Sequence, residues 1–478
     1  MNAAARIPLL EELKKLAHRE AENADIRRTF LPLPMHRLAL RQEIVVVRGG
    51  RGAGKSALFK LLKDVSDPAQ LRKLFGDPEI PSAQWVDAFS ETGLMHPTGA
   101  VLDELAQKNL SDNALRAFWM AHLVGRIHAA LGNEYEVPAE LASLQHGNES
   151  NPVAWIGWAA SHVGALSSAL DKFENKLALT KSTVFATYDH LDRIGTFDRE
   201  TRSRYVSSLL ALWLTLSNRY RFLRAKIFLR DDLFADGERS FPDASKLRPR
   251  SVPLEWDVQA LYRVAIRHMA ASPSLREWLT PLAKKGIGID DVADFGPIPR
   301  GLSEDAQKHF ADRLAGELMG SGVKKGYTYR WIPNRLQDAE GRIVPRSILC
   351  LIGFAAKHAL SKPLPKGERL LSSPDLVNAL PETSTARAGE IQEEYQTVTR
   401  LEQLRGLRVI LPRSTVISRL AKQVEGEPSG LPTDGELVFD ELRRLGVLRL
   451  REDGRIDVPD IYRYGFGILR AGGGARAK

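Results

Sequence analysis

The sequence predicts an α/β protein: a parallel sheet with helices on both faces and a helical insertion, then a helical domain and a C-terminal winged helix. Three observations predict it. A short β-branched run, Ile44 to Val47, stops at a glycine-rich loop and is followed by an amphipathic stretch. Further short apolar runs alternate with helical patterns up to residue 256, the order that builds a parallel sheet covered on both sides. The C-terminal part reads helix, helix, helix, hairpin.

Taken in order, residues 1 to about 28 read as a charged amphipathic helix, with Leu9, Leu10, Leu13 and Leu16 on one face. Phe30 to Pro34 is a proline-marked lead-in. Ile44 to Val47 suits a central strand buried on both faces. Ala57, Leu58, Leu61 and Leu62 then recur at helical spacing. Later strands are expected at Gln84 to Phe89, Thr183 to Tyr188, Ala225 to Leu229 and Ser251 to Leu254. A helical insertion rich in Ala, Leu and Trp fills roughly 99 to 179, and a long helix covers Thr201 to Tyr220. Residues 257–385 read mostly helical. Helices are then expected at Ala388 to Leu404, Ser414 to Val424 and Gly435 to Leu445. Two strands, Val447 to Arg451 and Arg455 to Val458, flank Glu452-Asp453-Gly454, where Asp-Gly marks a hairpin. These readings divide the chain into a core at 1–256, a helical domain at 257–385, a winged helix at 386–470 and a disordered glycine-rich tail at 471–478.

Bulk properties narrow the function classes. The single cysteine, Cys350, excludes an intrachain disulfide and a cysteine-rich zinc site, and fits a reducing, cytoplasmic setting. The N-terminus lacks the basic-then-apolar layout of a signal peptide. Ala154 to Leu170, the longest uncharged stretch, holds three serines and a histidine and reads as a buried helix, not a membrane span. The net charge of +9 permits nucleic acid or an acidic partner, without a block of five like charges to point at either.

The chemistry starts at Gly49-Gly50-Arg51-Gly52-Ala53-Gly54-Lys55-Ser56, which meets the spacing G-x-x-x-x-G-K-S of a phosphate-binding loop. Glycines let consecutive N–H groups curl around phosphates, and the helix opening at Gly54 and Lys55, continued by Ala57, favours anions at its start. In this template Lys55 contacts the β- and γ-phosphates of a nucleotide and Ser56 ligates Mg²⁺. A second acid is required at a neighbouring strand end, and Asp189 closes the apolar run Thr183 to Tyr188. Asp192, three residues on, would polarise the attacking water or serve as a helix cap or ion-pair partner. Arg230 ends the run Ala225 to Leu229, placed either to sense a γ-phosphate or to pair with Asp231, Asp232 or Asp189. Arg346 opens the apolar helix Ser347 to Leu360, where the helix dipole disfavours a cation unless an anion such as a phosphate is near.

With these residues in hand, the chain resembles the additional-strand P-loop ATPases, the group of AAA-plus, KAP and STAND proteins. Tyr188-Asp189-His190-Leu191-Asp192-Arg193 is similar to the KAP-type acidic signature, with His190 in place of its second acid. Ile227-Phe228-Leu229-Arg230 is similar to a sensor strand, and Pro345-Arg346-Ser347-Ile348 to the arginine that opens a lid helix. Phe228 to Asp232, Leu254-Glu255-Trp256-Asp257 and Pro345-Arg346-Ser347 also resemble bacterial STAND-like ATPases, many linked to conflict with phages and mobile elements. The resemblance implies a P-loop NTPase core, a lid at 257–385, ATP and Mg²⁺ as ligands, and self-assembly. It further implies ATP bridging core and lid through Lys55, Arg230 and Arg346.

The leading expectation is an ATP-driven molecular switch, part of a defence or mobile-element system with a separate effector protein, since the chain carries no effector constellation of its own. The alternative is a DNA-binding ATPase of replication, transposition or partition. Its support is Arg413, Arg419 and Lys422 near one helix and Arg449, Arg451 and Arg455 near the wing, set against Glu425, Glu427, Asp440, Glu441, Glu452 and Asp453 in the same module. A scaffold that binds nucleotide without hydrolysing it is a third class.

Overall fold

The computed structural model describes residues 3–18, 25–65, 67–90, 96–97, 101–104, 110–132, 141, 152–194, 199–238, 240–362, 367–427 and 431–470. The expected tail at 471–478 and parts of the expected insertion lie outside them. The chain divides into two compact units, Pro32–Glu255 and Met1–Leu31 with Trp256–Lys478. The first helix, α1 (Ala3–Lys14), belongs to the second of these.

The unit Pro32–Glu255 is built on five parallel strands: β1 (Val46–Arg48), β2 (Ala83–Phe89), β3 (Thr183–Tyr188), β4 (Leu223–Leu229) and β5 (Ser251–Pro253). Their order is β2-β3-β4-β1-β5, so β4 is inserted between β1 and β3. Val46 faces Ile227 on one side and Ser251 on the other. Every residue of β3 and β4 is buried, as helices on both faces require. β4 nevertheless carries two cations. Lys226 donates to the carbonyls of Arg41 and Ile44 and lies 4.7 Å over the Phe185 ring. Arg224 donates to the carbonyls of Gln42, Ser217 and Tyr220. Backbone oxygens at the amino ends of the strands receive both side chains, while burial lowers the pKa of each.

The covering helices include α2 (Lys55–Asp64), α3 (Asp112–Leu131), α4 (Pro152–Ser161), α5 (Val163–Thr180), α6 (Arg199–Arg219) and α7 (Asp231–Gly237). The described helices of the insertion join the sheet's own core. Leu115, Phe118, Trp119 and Leu123 of α3 share one buried cluster with β2, β3, β4 and α6. The Trp119 indole donates to the carbonyl of Tyr205 and the hydroxyl of Ser208 in α6, at 3.0 and 3.2 Å.

In the other unit, α1 and the turn after it pack on α8 (Pro345–Leu360). Leu10, Leu13 and Leu16 are fully or almost fully buried. Gly353 makes the approach possible: a Cβ there would stand 2.7 Å from the Ala17 Cβ, closer than van der Waals contact allows. This corrects the expected core at 1–256, because the leucine face of residues 3–18 is satisfied by a helix over three hundred residues away. A second correction concerns the boundary at 385/386, which one helix, α9 (Ser373–Glu394), runs straight through. The helix expected from Ala388 does not start there. Ser372 and Asp375 close the helix start instead, with the Ser372 hydroxyl and amide both donating to Asp375 Oδ2.

The C-terminal part continues with β8 (Arg408–Val409), α10 (Arg413–Leu420), α11 (Gly435–Arg444), β9 (Arg449–Leu450), β10 (Ile456–Asp457) and β11 (Leu469–Arg470); β6 (Ile289–Val292) and β7 (Gly296–Pro299) form a separate hairpin earlier in the chain. β9 and β10 pair antiparallel around Asp453-Gly454, and Leu411 bridges to Ile456. Arg400 lies wholly buried between these helices. It pairs with Glu427 at 2.5 Å and donates to the Leu420 and Pro432 carbonyls. Among the described residues, no helix is long and apolar enough to cross a membrane.

Candidate functional site

β1 delivers the chain into the loop Gly49–Gly54, and α2 begins at Lys55. The loop is pinned to the neighbouring strands on both sides. Gly49 N–H donates to the Leu229 carbonyl, and Leu254 N–H to the Arg48 carbonyl. Gly52 (φ 78°) and Gly54 (φ 96°) take left-handed conformations that side chains resist, and this lets the loop curl back on itself. Lys55 Nζ donates to the carbonyls of Gly49 and Gly50, at 2.8 and 3.0 Å. The ammonium therefore lies over the hollow of the loop, next to the start of α2.

β3 brings Asp189 to the same place. Its amide donates to Phe89 O at 2.9 Å, and the Ser56 side chain and the His190 amide stand close enough to stabilise its charged carboxylate. Burial raises the Asp189 carboxyl above its ordinary range, opposed by His190, Ser56 and Lys55. Its Oδ2 is buried with no hydrogen-bond partner, 3.8 Å from His190 Nε2. A buried carboxylate oxygen without a donor is costly, and a cation is what would satisfy it. Ser56 and Asp189 are the donor types magnesium takes beside phosphate oxygens. The residues present thus fit that ion. Among the described residues, no cluster of three or more acidic, histidine or cysteine side chains offers another metal site.

The turn after Asp189 is strained. His190 has φ 58°, unusual for a non-glycine residue, and its Nδ1 is buried without a partner. Asp192 sits in the short 3₁₀ turn Leu191–Arg193 and faces Arg230, with 3.8 Å between Oδ2 and Nη1. Arg230 caps α7 and is buried. Its Nε and Nη2 donate to both oxygens of Asp232, at 3.0 and 2.9 Å. The ion pair weighed as the alternative at Arg230 is therefore formed, and its main partner is Asp232. Arg48 pairs with the neighbouring Asp231 at 2.9 Å.

Arg346 lies in the other unit, at the first turn of α8. The anion beside it there is Glu390 of α9, at 3.0 Å, which Arg387 also holds, at 2.9 Å. A carboxylate thus supplies the compensation the helix dipole demands. Burial pushes the nearby Cys350 thiol up to about 11, which makes it a poor nucleophile.

Sequence reasoning missed one cluster, at the carboxyl end of β2. Asp87 is held by Lys63 of α2 at 2.8 Å, by the Ser90 hydroxyl at 2.9 Å and by His96 at 3.1 Å. His96 Nδ1 lies 3.2 Å from His122 Nε2 on α3, and both rings are buried. Burial alone would raise the Asp87 carboxyl; His96 and Lys63 outweigh it and hold the group well below the usual range. No spacing in the sequence links these residues.

The C-terminal arginines are largely engaged. Arg413 pairs with Glu436, and Arg455 with Asp453. Arg449 donates to the carbonyls of Asp338 and Ala339, and Arg451 stands 3.9 Å from Asp453 and Asp457. Arg419 and Lys422 are exposed.

No protein-family model matches the sequence, and no curated protein matches it. Among solved structures, the ORC2 protein of Aeropyrum pernix, in ADPNP–ADP complexes, is similar at 12% identity, covering 91% of this chain and 94% of that one, with a TM-score of 0.31. Cdc6p from Pyrobaculum aerophilum is similar at 9% identity, over 91% and 93%, with a TM-score of 0.33. The Walker-type ATPase PABY2304 of Pyrococcus abyssi is similar at 10% identity, over 90% and 93%, with a TM-score of 0.37. All three likenesses are distant.

Proposed function

We propose that this chain is an ATP-binding and ATP-hydrolysing molecular switch. The observation that carries the reading is the meeting of Ser56 with the buried, half-satisfied Asp189 carboxylate beside the loop that Lys55 closes. The loop amides and the start of α2 receive the phosphates; Lys55 leaves its loop carbonyls for the β- and γ-oxygens. Magnesium, held by Ser56 and by Asp189, would neutralise charge between the outer phosphates. Asp192 orients the attacking water and Arg230 reads the terminal phosphate. Arg346 serves as the lid arginine, with Glu390 competing for it. The chain from Trp256 onward supplies the lid and the winged helix of this reading, with α9 running from one into the other. A separate effector in a defence or mobile-element system, self-assembly and a cytoplasmic setting belong to the same proposal. The test is steady-state phosphate release by wild type, Lys55→Ala and Asp192→Asn. Turnover lost in Lys55→Ala and strongly reduced in Asp192→Asn supports hydrolysis. Wild-type turnover no higher than that of Lys55→Ala overturns it in favour of a scaffold that only binds nucleotide.

A second reading, a DNA-binding ATPase, is favoured by the helices and hairpin of the C-terminal part, with Leu411 bridging to Ile456. Against it stands the pairing of Arg413 and Arg455 with carboxylates, which compete with phosphates for those two cations. A salt-dependent shift of duplex DNA abolished by charge reversal at Arg419 and Lys422 would favour it; no shift at low salt would remove it.

A further inference from the structure

Arg230 presents two edges of one guanidinium to two different carboxylates. The Nε and Nη2 edge is held by both oxygens of Asp232, in the first turn of α7. The Nη1 corner stands 3.8 Å from Asp192, on the turn that follows Asp189. The two contacts differ in kind. A bidentate carboxylate fixes the plane of a guanidinium, whereas a single long contact is readily exchanged. Asp232 is also the more enclosed of the two acids, with 22% of its side chain exposed against 32% for Asp192.

We propose that Asp232 is the positioning residue of Arg230: it fixes one edge of the guanidinium so that Nη1 is shared between Asp192 and the terminal phosphate of a nucleoside triphosphate. This rests on the reading of the loop as an ATP site. When Nη1 engages the third phosphate, Asp192 loses its partner, and the turn after Asp189 gains a second arrangement. Nucleoside diphosphate offers Nη1 nothing, so Asp192 keeps it. The difference between the two nucleotides is then built on the fixed edge, and a ligand can shift an equilibrium only by such a difference. A purely structural Asp232 would act otherwise. As an acid in the first turn of α7 it would steady that helix and influence both nucleotides alike.

The experiment is calorimetry on the full chain with Mg·ADP and with a non-hydrolysable Mg·ATP analogue. The variants are Asp232→Asn, Asp232→Glu, Arg230→Ala, the double variant Arg230→Ala/Asp232→Asn, and Lys55→Ala. Asp232→Asn is expected to lower the preference for the triphosphate about tenfold while ADP affinity stays within about twofold, a change confined to one phosphate. Asp232→Glu recovers part of the preference, and adding Asp232→Asn to Arg230→Ala changes nothing further. Equal loss for both nucleotides overturns the proposal, as does an unchanged preference in Asp232→Asn when Lys55→Ala abolishes binding. Wild-type affinity in Lys55→Ala instead removes the ATP reading itself, and this proposal with it. Should Asp232→Asn fail to fold, Asp232→Ser carries the same comparison.

Discussion

Replacing Asp189 by asparagine should make the protein no less stable on its own and unresponsive to Mg·ATP. The carboxylate is 3% exposed, its Oδ2 has no hydrogen-bond partner, and burial raises its pKa. A group whose folded pKa is raised contributes most below its unfolded value and opposes folding once it ionises above the raised one. Carrying a charge at this buried position is therefore a cost to the folded chain. An unsatisfied buried polar atom costs about 1–3 kcal/mol, and a neutral amide of the same shape removes the charge while its oxygen can still face Ser56. Part of that is returned by the new, poorly paired amide nitrogen, so a net gain of about 1 kcal/mol is expected. For a folding unit of this size that is about 2–4 °C in Tm. Wild type, by contrast, should gain about 2.7 kcal/mol when Mg·ATP is present at a hundred times its Kd, and the asparagine variant should gain far less. Differential scanning calorimetry with and without Mg·ATP reads both effects. A variant several degrees less stable alone, or one protected by Mg·ATP as fully as wild type, would refute the reasoning.

Two further outcomes follow from groups outside the loop. Asp87 is held below the usual carboxylate range, so its stabilising contribution is complete above the unfolded value and is lost as pH falls below about 4. Asp87→Asn should cost about 1–3 kcal/mol at neutral pH and flatten that acid loss in urea titrations from about pH 5 down to about pH 2; an unchanged slope would contradict it. In the C-terminal part, Arg400→Met leaves the buried Glu427 carboxylate without its cation, held only by the Val424 amide, and should cost about 3–5 kcal/mol, most of it recovered by adding Glu427→Met. Limited proteolysis of the full chain checks this, and equal resistance of wild type and the single variant would count against it.

The five strands of the sheet were legible because short apolar runs alternate with helical patterns and leave few alternatives. β4 extends two residues further back than its apolar run, since Arg224 can hide its charge against carbonyls that only the folded chain supplies. The leucine face of α1 was equally plain, but periodicity gives a face and not its partner, and the partner is α8. The helix start expected at Ala388 failed for a related reason: a local change of composition does not end a helix, while the capping by Ser372 and Asp375 and the burial of Leu376, Ala379 and Leu380 decide where it begins. In the site, Gly49 to Ser56 and Asp189 could be found because the chemistry fixes their spacing from strand ends. The partner of Arg230 was two residues away, yet the sequence offered three acids and no ground for choosing Asp232. The Asp87, His96 and His122 cluster was out of reach, because it joins a strand, a loop and an insertion helix that only tertiary packing brings together.

Isothermal titration of the full chain with ATP, in the presence and absence of Mg²⁺, addresses the seating of phosphates at Gly49 to Ser56 most directly. The expected result is a single saturable site that weakens without the metal and disappears in Lys55→Ala, while circular dichroism shows the variant folded. A folded wild type that binds neither ATP nor any other nucleoside triphosphate would contradict it.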